Sequence, residues 1–227
     1  MTQGLLELGE VLLASSRRRL ETVSRNVANA TTTGYKSEID FEQLQSAEAS
    51  TDARSNLDIG PLRQTDGRFD FAIAGDGFFQ VRAGEQLLYT RAGAFHRDTE
   101  GRLADAAGAL LQAIDGGDLF VAADAEVSAD GVVSERGVPI ARIGVFTPHE
   151  DATLARVSGI YFQTDAALPV ENAQIRPGML EGANVALASE MLDMMTAIRG
   201  AEIGARVVQT YDTLIGQTIS TFTRRQG

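Results

Sequence analysis

Few residues in this 227-residue chain have types and spacings that could do chemistry. There is no cysteine, which excludes disulfide frameworks, thiolate zinc sites and cysteine nucleophiles. There are two histidines, His96 and His149, too few for a histidine-rich metal site. His149-Glu150-Asp151 has no second histidine four residues on, so it is not the metal-binding helix of a zinc protease. His96 follows Phe95 in a strand-like run and reads as a surface residue. No serine lies in a Gly-x-Ser-x-Gly elbow. Gly75-Asp76-Gly77 lacks the lysine of a phosphate-binding loop and the ligand number of a calcium loop, so it reads as a turn. Asp115-Gly116-Gly117-Asp118 reads as a hairpin turn for the same reasons. Met191, Met194 and Met195 could line an adaptable groove, but their spacing fits helical packing better. No catalytic, cofactor-binding or metal-binding residue is therefore assigned.

Charge narrows the partners. The net charge is −11, with about +2 on residues 1–36, −12 on residues 37–178 and −1 on residues 179–227. An acidic body does not suit nucleic acid, which needs a basic stripe. Nor does it suit an anionic membrane surface. The Arg17-Arg18-Arg19 run reads as a solvated helix face or as a contact with an acidic neighbouring subunit. No stretch of 18 apolar residues is present, and no basic segment leads into an apolar one at the start, so neither a transmembrane helix nor a cleaved secretory signal is expected.

The elements that must carry the function are helices at the two ends and strands between them. Leu6, Leu13, Leu20 and Val27 recur every seventh residue, interleaved with Gly9, Ser16, Val23 and Ala30. That is a heptad seam with one bulky row and one small row. Thr31-Thr32-Thr33-Gly34 reads as its stop. A longer helix is expected over about 184–222, with Asn184 as its N-cap after Pro177-Gly178. Its seam is Met191, Met194, Ile198, Val208, Ile215 and Ile219, with Asp212 as one charged member. Between the helices, glycine turns separate short β-prone runs, and Phe69, Phe71 and Ile73 alternate with Asp70 and Ala72 as in a half-buried strand.

Three blocks of this sequence resemble the axial proteins of the bacterial flagellum, the rod and hook family. They are Asn26-Val27-Ala28-Asn29-Ala30-Thr31-Thr32-Thr33-Gly34-Tyr35-Lys36, then Ile73 to Val81 with Tyr89-Thr90-Arg91-Ala92-Gly93-Ala94-Phe95, and then Leu180-Glu181-Gly182-Ala183-Asn184-Val185 with Glu190-Met191 and Arg199 to Glu202. Ala183 and Ala201 depart from that pattern, which often has serine and an aromatic there. The resemblance is better to rod proteins than to the larger hook protein. The short interval from Lys36 to Gly75 favours the proximal rod over the distal rod.

The resemblance implies an α+β fold, with the N- and C-terminal helices forming a coiled-coil-like helical domain and a central antiparallel β-rich domain. The expected boundaries are 1–36 for the N-terminal helix, 37–65 for a connector, 66–178 for the β-rich outer domain and 179–227 for the C-terminal helix. The implied function is a structural subunit of the proximal rod. It would assemble with copies of itself and other axial proteins into a hollow drive shaft crossing the periplasm. The implied route is the flagellar export apparatus, without a cleaved signal. No enzyme activity, cofactor, nucleic acid or small-molecule substrate is expected. The expected subunit contacts are Leu6, Leu13, Leu20, Val27, Met191, Met194, Ile198, Val208, Ile215 and Ile219, while Asn29, Gly34 and Tyr35 shape the turn after the first helix. The alternatives are the distal rod protein, another hook or rod component and, remotely, a periplasmic enzyme trimming peptidoglycan with two carboxylates across a cleft.

Overall fold

A computed structural model describes residues 2–39 and 54–224. Two helices enclose a run of short strands: α1 is Thr2–Ala28 and α2 is Leu187–Arg224. The chain divides into two compact units, one of residues 1–28, 38–54 and 186–227 and the other of residues 29–37 and 55–185.

In the first unit α1 and α2 lie side by side. Asn26 meets Glu190, Arg19 meets Asp193, and the side chains of Ser16 and Leu13 lie against Gly200 and Gly204. One number rises as the other falls, so the helices run in opposite directions. The close approach follows from side-chain size. A Cβ added to Gly204 would stand 2.9 Å from Leu13 Cγ, and one on Gly9 would stand 3.1 Å from Val208 Cγ2. Small residues on both helices let the backbones come near, and Ser16, Val23, Asn26 and Ala197 are buried there.

The second unit is built on antiparallel strands. Its main path runs in the spatial order 154–158, 161–164, 86–90, 78–83, 110–111, 103–104 and 96–97, and strand 145–148 joins it through 78–83. Strand Phe71–Ala74 pairs separately with Gln174–Pro177, so that Ile73 lies opposite Ile175. The core contains Phe71, Ile73, Phe79, Val81, Leu103, Leu111, Ile143, Val145 and Ile175. Phe79 and Phe95 meet edge to face, with ring centroids 5.8 Å apart. Ala72 is as buried as its neighbours, so this strand is covered on both faces rather than half-buried as its alternation predicts.

The expected boundaries shift in a definite way. Helix α1 ends at Ala28, and residues 29–37 pack with the β-rich unit instead of continuing the helical one. Residues 179–185 do the same: Met179–Glu181 is a strand paired with Leu62–Gln64. Residues 55–65 of the expected connector are thus part of the folded unit, and residues 40–53 lie outside the described residues. Asn184 is not a helix cap. Helix α2 begins three residues later, and the Asn184 carboxamide accepts from Ser37 N at 2.6 Å and donates to the carbonyls of Asn56 and Asp58, both at 2.9 Å. Gly75-Asp76-Gly77 is a turn between strands 71–74 and 78–83. The glycine-rich turn at 115–118 uses its own charge internally: Asp118 binds Arg82 Nη2 at 2.5 Å, and that contact holds its carboxyl below the usual range.

Candidate assembly face and the buried motif cluster

Helix α2 carries two seams about one residue, or roughly 100° of helix rotation, apart. One seam faces α1 and runs through Glu190, Asp193, Ala197, Gly200, Gly204 and Val207–Val208. It is made of small or polar side chains. The other runs through Leu187, Met191, Met195 and Ile198. These side chains point away from α1: Met191 is 60% exposed and Ile198 44%, whereas Ile215, 40% exposed, lies in line with the first seam. Leu192, Ile203 and Leu214 are also exposed. Among the described residues, no helix is long and apolar enough to cross a membrane.

The anticipated contact residues divide accordingly. Leu13 and Val208 pack within the chain, against Gly204 and Gly9. Leu6, Leu20, Val27 and Met194 are half-buried. Met191, Ile198 and Ile215 are left open by the subunit's own fold. The Ile219 side chain lies outside the described residues. On α1, Leu8 and Val11 are exposed, although the heptad reading does not single them out.

One polar anchor holds the helical unit. The Asn26 side chain donates to the Glu38 carbonyl at 3.0 Å and accepts from the Glu38 amide at 2.8 Å. It also donates to Glu190 Oε1 at 2.9 Å. Burial pushes the Glu190 carboxyl up, the Asn26 bond opposes the rise, and Asp193 adds to it.

In the β-rich unit the three sequence blocks meet at a buried ion cluster. Lys36 is the chain's one lysine and has no solvent exposure; its Nζ lies 2.7 Å from Glu181 Oε1 and 2.5 Å from the Asp58 carbonyl. Arg91, also buried, donates to the other Glu181 oxygen at 3.3 Å and to the Gly75 carbonyl at 2.8 Å. The Gly60 amide donates to Glu181 Oε1 at 3.0 Å. Burial pulls the Lys36 ammonium below its ordinary value, while the Glu181 carboxylate acts in the opposite direction.

The backbone closes around these charges. Gly34 N donates to the Glu181 carbonyl at 2.8 Å, and Asn184 N to the Tyr35 carbonyl at 3.3 Å. Gly34 has φ +69°, and a Cβ there would run into the Ala92 backbone, so glycine is required twice over. Asn29 receives the Thr32 amide on its carbonyl at 2.9 Å and closes the turn. Tyr35 is buried beneath the Arg156 guanidinium, whose Cζ lies 4.9 Å from the Tyr35 ring centroid and 4.8 Å from that of Phe162. Arg156 also bonds Ser55 Oγ and the Lys36 carbonyl.

Asn29, Gly34 and Tyr35 thus sit together, but the charges that fasten them come from Lys36, Arg91, Glu181 and Arg156, which pattern reading passes over. A buried charge looks like a surface charge in a bare sequence. The available signal is a solitary lysine in a chain whose other basic residues are all arginine.

The cluster brings together side chains of all three blocks, and comparison with known proteins finds the same blocks. Three family descriptions match: a flagella basal body rod protein segment over residues 13–36, the D1 domain of the flagellar hook protein FlgE/F/G group over 72–135, and the C-terminal part of the flagellar basal body rod FlgEFG group over 176–221. The chain is 34% identical to the flagellar basal-body rod protein FlgF of Caulobacter vibrioides, over 85% of this chain and 86% of that protein. The chain belongs to the flagellar basal-body rod protein family. It is 25% identical to the rod protein FlgG of Bacillus subtilis over 89% of this chain and 92% of that protein. It is 37% identical to the hook protein FlgE of Brucella melitensis, but over 48% of this chain and 30% of that protein. This rod-family chain is therefore a structural component of the flagellar basal body and not an enzyme.

Proposed function

We propose that this rod-family subunit builds the proximal part of the shaft, with its paired end helices acting as a coiled-coil-like polymerisation unit. The observation that carries the reading is the second seam of α2. A helix whose own partner covers one seam, and which keeps Met191, Met195 and Ile198 open on another, is shaped for helices of neighbouring subunits. The neighbours are copies of this chain and other axial proteins, delivered by the flagellar export apparatus as the resemblance implies. A proximal position is supported by the short interval between Lys36 and Gly75. It fits the alignment lengths as well. The match to the Bacillus subtilis FlgG runs over 248 positions, more than this chain has residues, whereas that to FlgF runs over 212.

The lack of cysteine gives a clean test. Single cysteines placed at Met191, Met195 or Ile198 should form crosslinked species between subunits when basal bodies from swimming cells are treated with a bifunctional maleimide. A cysteine at Glu85, in an exposed turn of the β-rich unit, serves as the comparison. If all three seam positions give only uncrosslinked subunits in motile cells, the seam is not a subunit contact.

A further inference from the structure

Lys36 and Glu181 are 145 residues apart, and each is almost completely buried beside the other. We propose that Lys36, Arg91 and Glu181 form a conditional clasp, in which residues 29–37 dock on the β-rich unit only after residues 179–185 have brought in the carboxylate that pairs with both cations.

The argument is one of charge and order. Two buried cations share a single carboxylate: Lys36 on one oxygen, Arg91 on the other. Take Glu181 away, and Lys36 Nζ keeps the Asp58 carbonyl while Arg91 keeps the Gly75 carbonyl. Neither carbonyl is a counter-charge, and the Asp58 and Asp76 carboxylates act on Lys36 and Arg91 through space, each more weakly than Glu181. Among the described residues Arg91 Nε has no hydrogen-bond acceptor, so nothing is in reserve on that side. An unpaired buried cation is strongly disfavoured, whereas the same ammonium in water is not. Without Glu181 the segment carrying Lys36 is therefore better off undocked.

The backbone follows the same logic. The Gly34 amide binds the Glu181 carbonyl, the Tyr35 carbonyl accepts from Asn184, and the Ser37 amide binds the Asn184 side chain. All three partners belong to the late block. The main core does not depend on them: its members run from Phe71 to Ile175, and strand Gln174–Pro177 closes it before Glu181 is reached. A chain made from its N-terminus thus holds Lys36 in solution while the core forms. The last step before α2 fixes both ends of the β-rich unit together. Neither end can set alone.

The single lysine supplies the test. In the purified full chain, an acetylating N-hydroxysuccinimide ester can react with two kinds of amine, the α-amino group and Lys36 Nζ. Rates at Lys36 are read by peptide mass spectrometry, relative to those in denaturant, and amide exchange at Phe79, Val81 and Leu111 reports the core. In the parent protein Lys36 should be protected. In Glu181→Gln, which keeps the shape but loses the charge, Lys36 should react about 100-fold faster, with core exchange unchanged. Arg91→Met leaves one cation with one carboxylate, so Lys36 should stay protected there. A rate in Glu181→Gln within about threefold of the parent would overturn the clasp. So would parallel acceleration of the core amides, which would mean general unfolding. Equal opening in Arg91→Met and Glu181→Gln would show that packing, not charge balance, holds the segment.

Discussion

Ala197 and Ile198 are neighbours in α2, yet an aspartate should do different things at the two positions. Ala197 is 3% exposed and faces α1; Ile198 is 44% exposed and faces away. At Ala197 a carboxylate would lose its water against α1 and would also need room where the backbones are close. Breaking a packed site with an unpaired buried charge costs roughly 3–5 kcal/mol. Asp193, one turn earlier, adds a like charge. At Ile198 the carboxylate can reach water. The loss inside the subunit is the burial of a little over half an isoleucine side chain, about 1–1.7 kcal/mol, plus a few tenths from helix propensity. The two variants should therefore differ by about 1–4 kcal/mol, with Ala197→Asp the weaker, in urea unfolding of the purified subunit followed at 222 nm. In cells the order should not matter, because neither should build a rod. Ala197→Asp loses the helix pair. Ile198→Asp keeps it but presents a carboxylate where a neighbouring helix would have to desolvate it. Ile198→Leu keeps the apolar volume and should swim. The reasoning fails if Ile198→Asp unfolds as readily as Ala197→Asp, which would put both residues on one seam. It also fails if cells carrying Ile198→Asp swim like the parent, since that face would then be free in the rod.

Two other expectations follow from polar groups. A carboxyl raised by burial keeps its proton longer in the folded state. The contribution of Glu190 is thus present at acid pH and lost as pH climbs through its raised value. Glu190→Gln should remove this dependence between about pH 4 and about pH 7 while keeping an acceptor for Asn26, as urea midpoints across that range will show. Tyr161 donates to Asp105 Oδ2 at 2.5 Å, and the other Asp105 oxygen already accepts the amides of Ala107 and Ala109. Tyr161→Phe should cost the β-rich unit about 1.5–3 kcal/mol in urea, and a loss below about 0.5 kcal/mol would show that the bond contributes little.

Much of this architecture is legible in the sequence, because long periodic patterns survive without tertiary knowledge. The heptads give both helices, and the glycine turns give an antiparallel β region. What is not legible has specific causes. The seam on α2 that faces α1 is one residue away from the seam of bulky side chains. Bulk marks what must be buried somewhere, but close approach marks what is buried first, and Gly200 and Gly204 carry no hydrophobic signal. Two-residue strands such as Leu103–Ala104 and Leu110–Leu111 are too short to show a period. Asn184 looks like a cap because asparagine before a helix usually is one; three long-range bonds claim its side chain instead. The ion cluster shows the limit most sharply. Lys36, Arg91 and Glu181 lie in three different blocks, and only the folded chain makes them neighbours.

The open face of α2 is sized for a lattice more than for a pair. Eight large apolar side chains on this helix are exposed by 40–66%: Leu187, Met191, Leu192, Met195, Ile198, Ile203, Leu214 and Ile215. Covering the exposed half of each is worth about 0.7–1.5 kcal/mol, or roughly 6–12 kcal/mol for all of them. Joining two subunits costs about 4–15 kcal/mol in lost rotational and translational freedom, with further cost for ordering side chains. These side chains are also spread around the helix, so one neighbour cannot cover them all. Leu192 and Ile203 are turned well away from Met191 and Ile198 at 100° per residue. A single lateral contact therefore falls short, while an end that offers neighbours on both sides gains the whole sum and loses freedom only once. That arithmetic favours subunits that stay apart in solution and add to a growing end. On the proposed reading it also accounts for the largely small seam inside the chain: the bulky side chains would be kept for the neighbours, while Gly9, Ser16, Gly200 and Gly204 let the two helices close on each other.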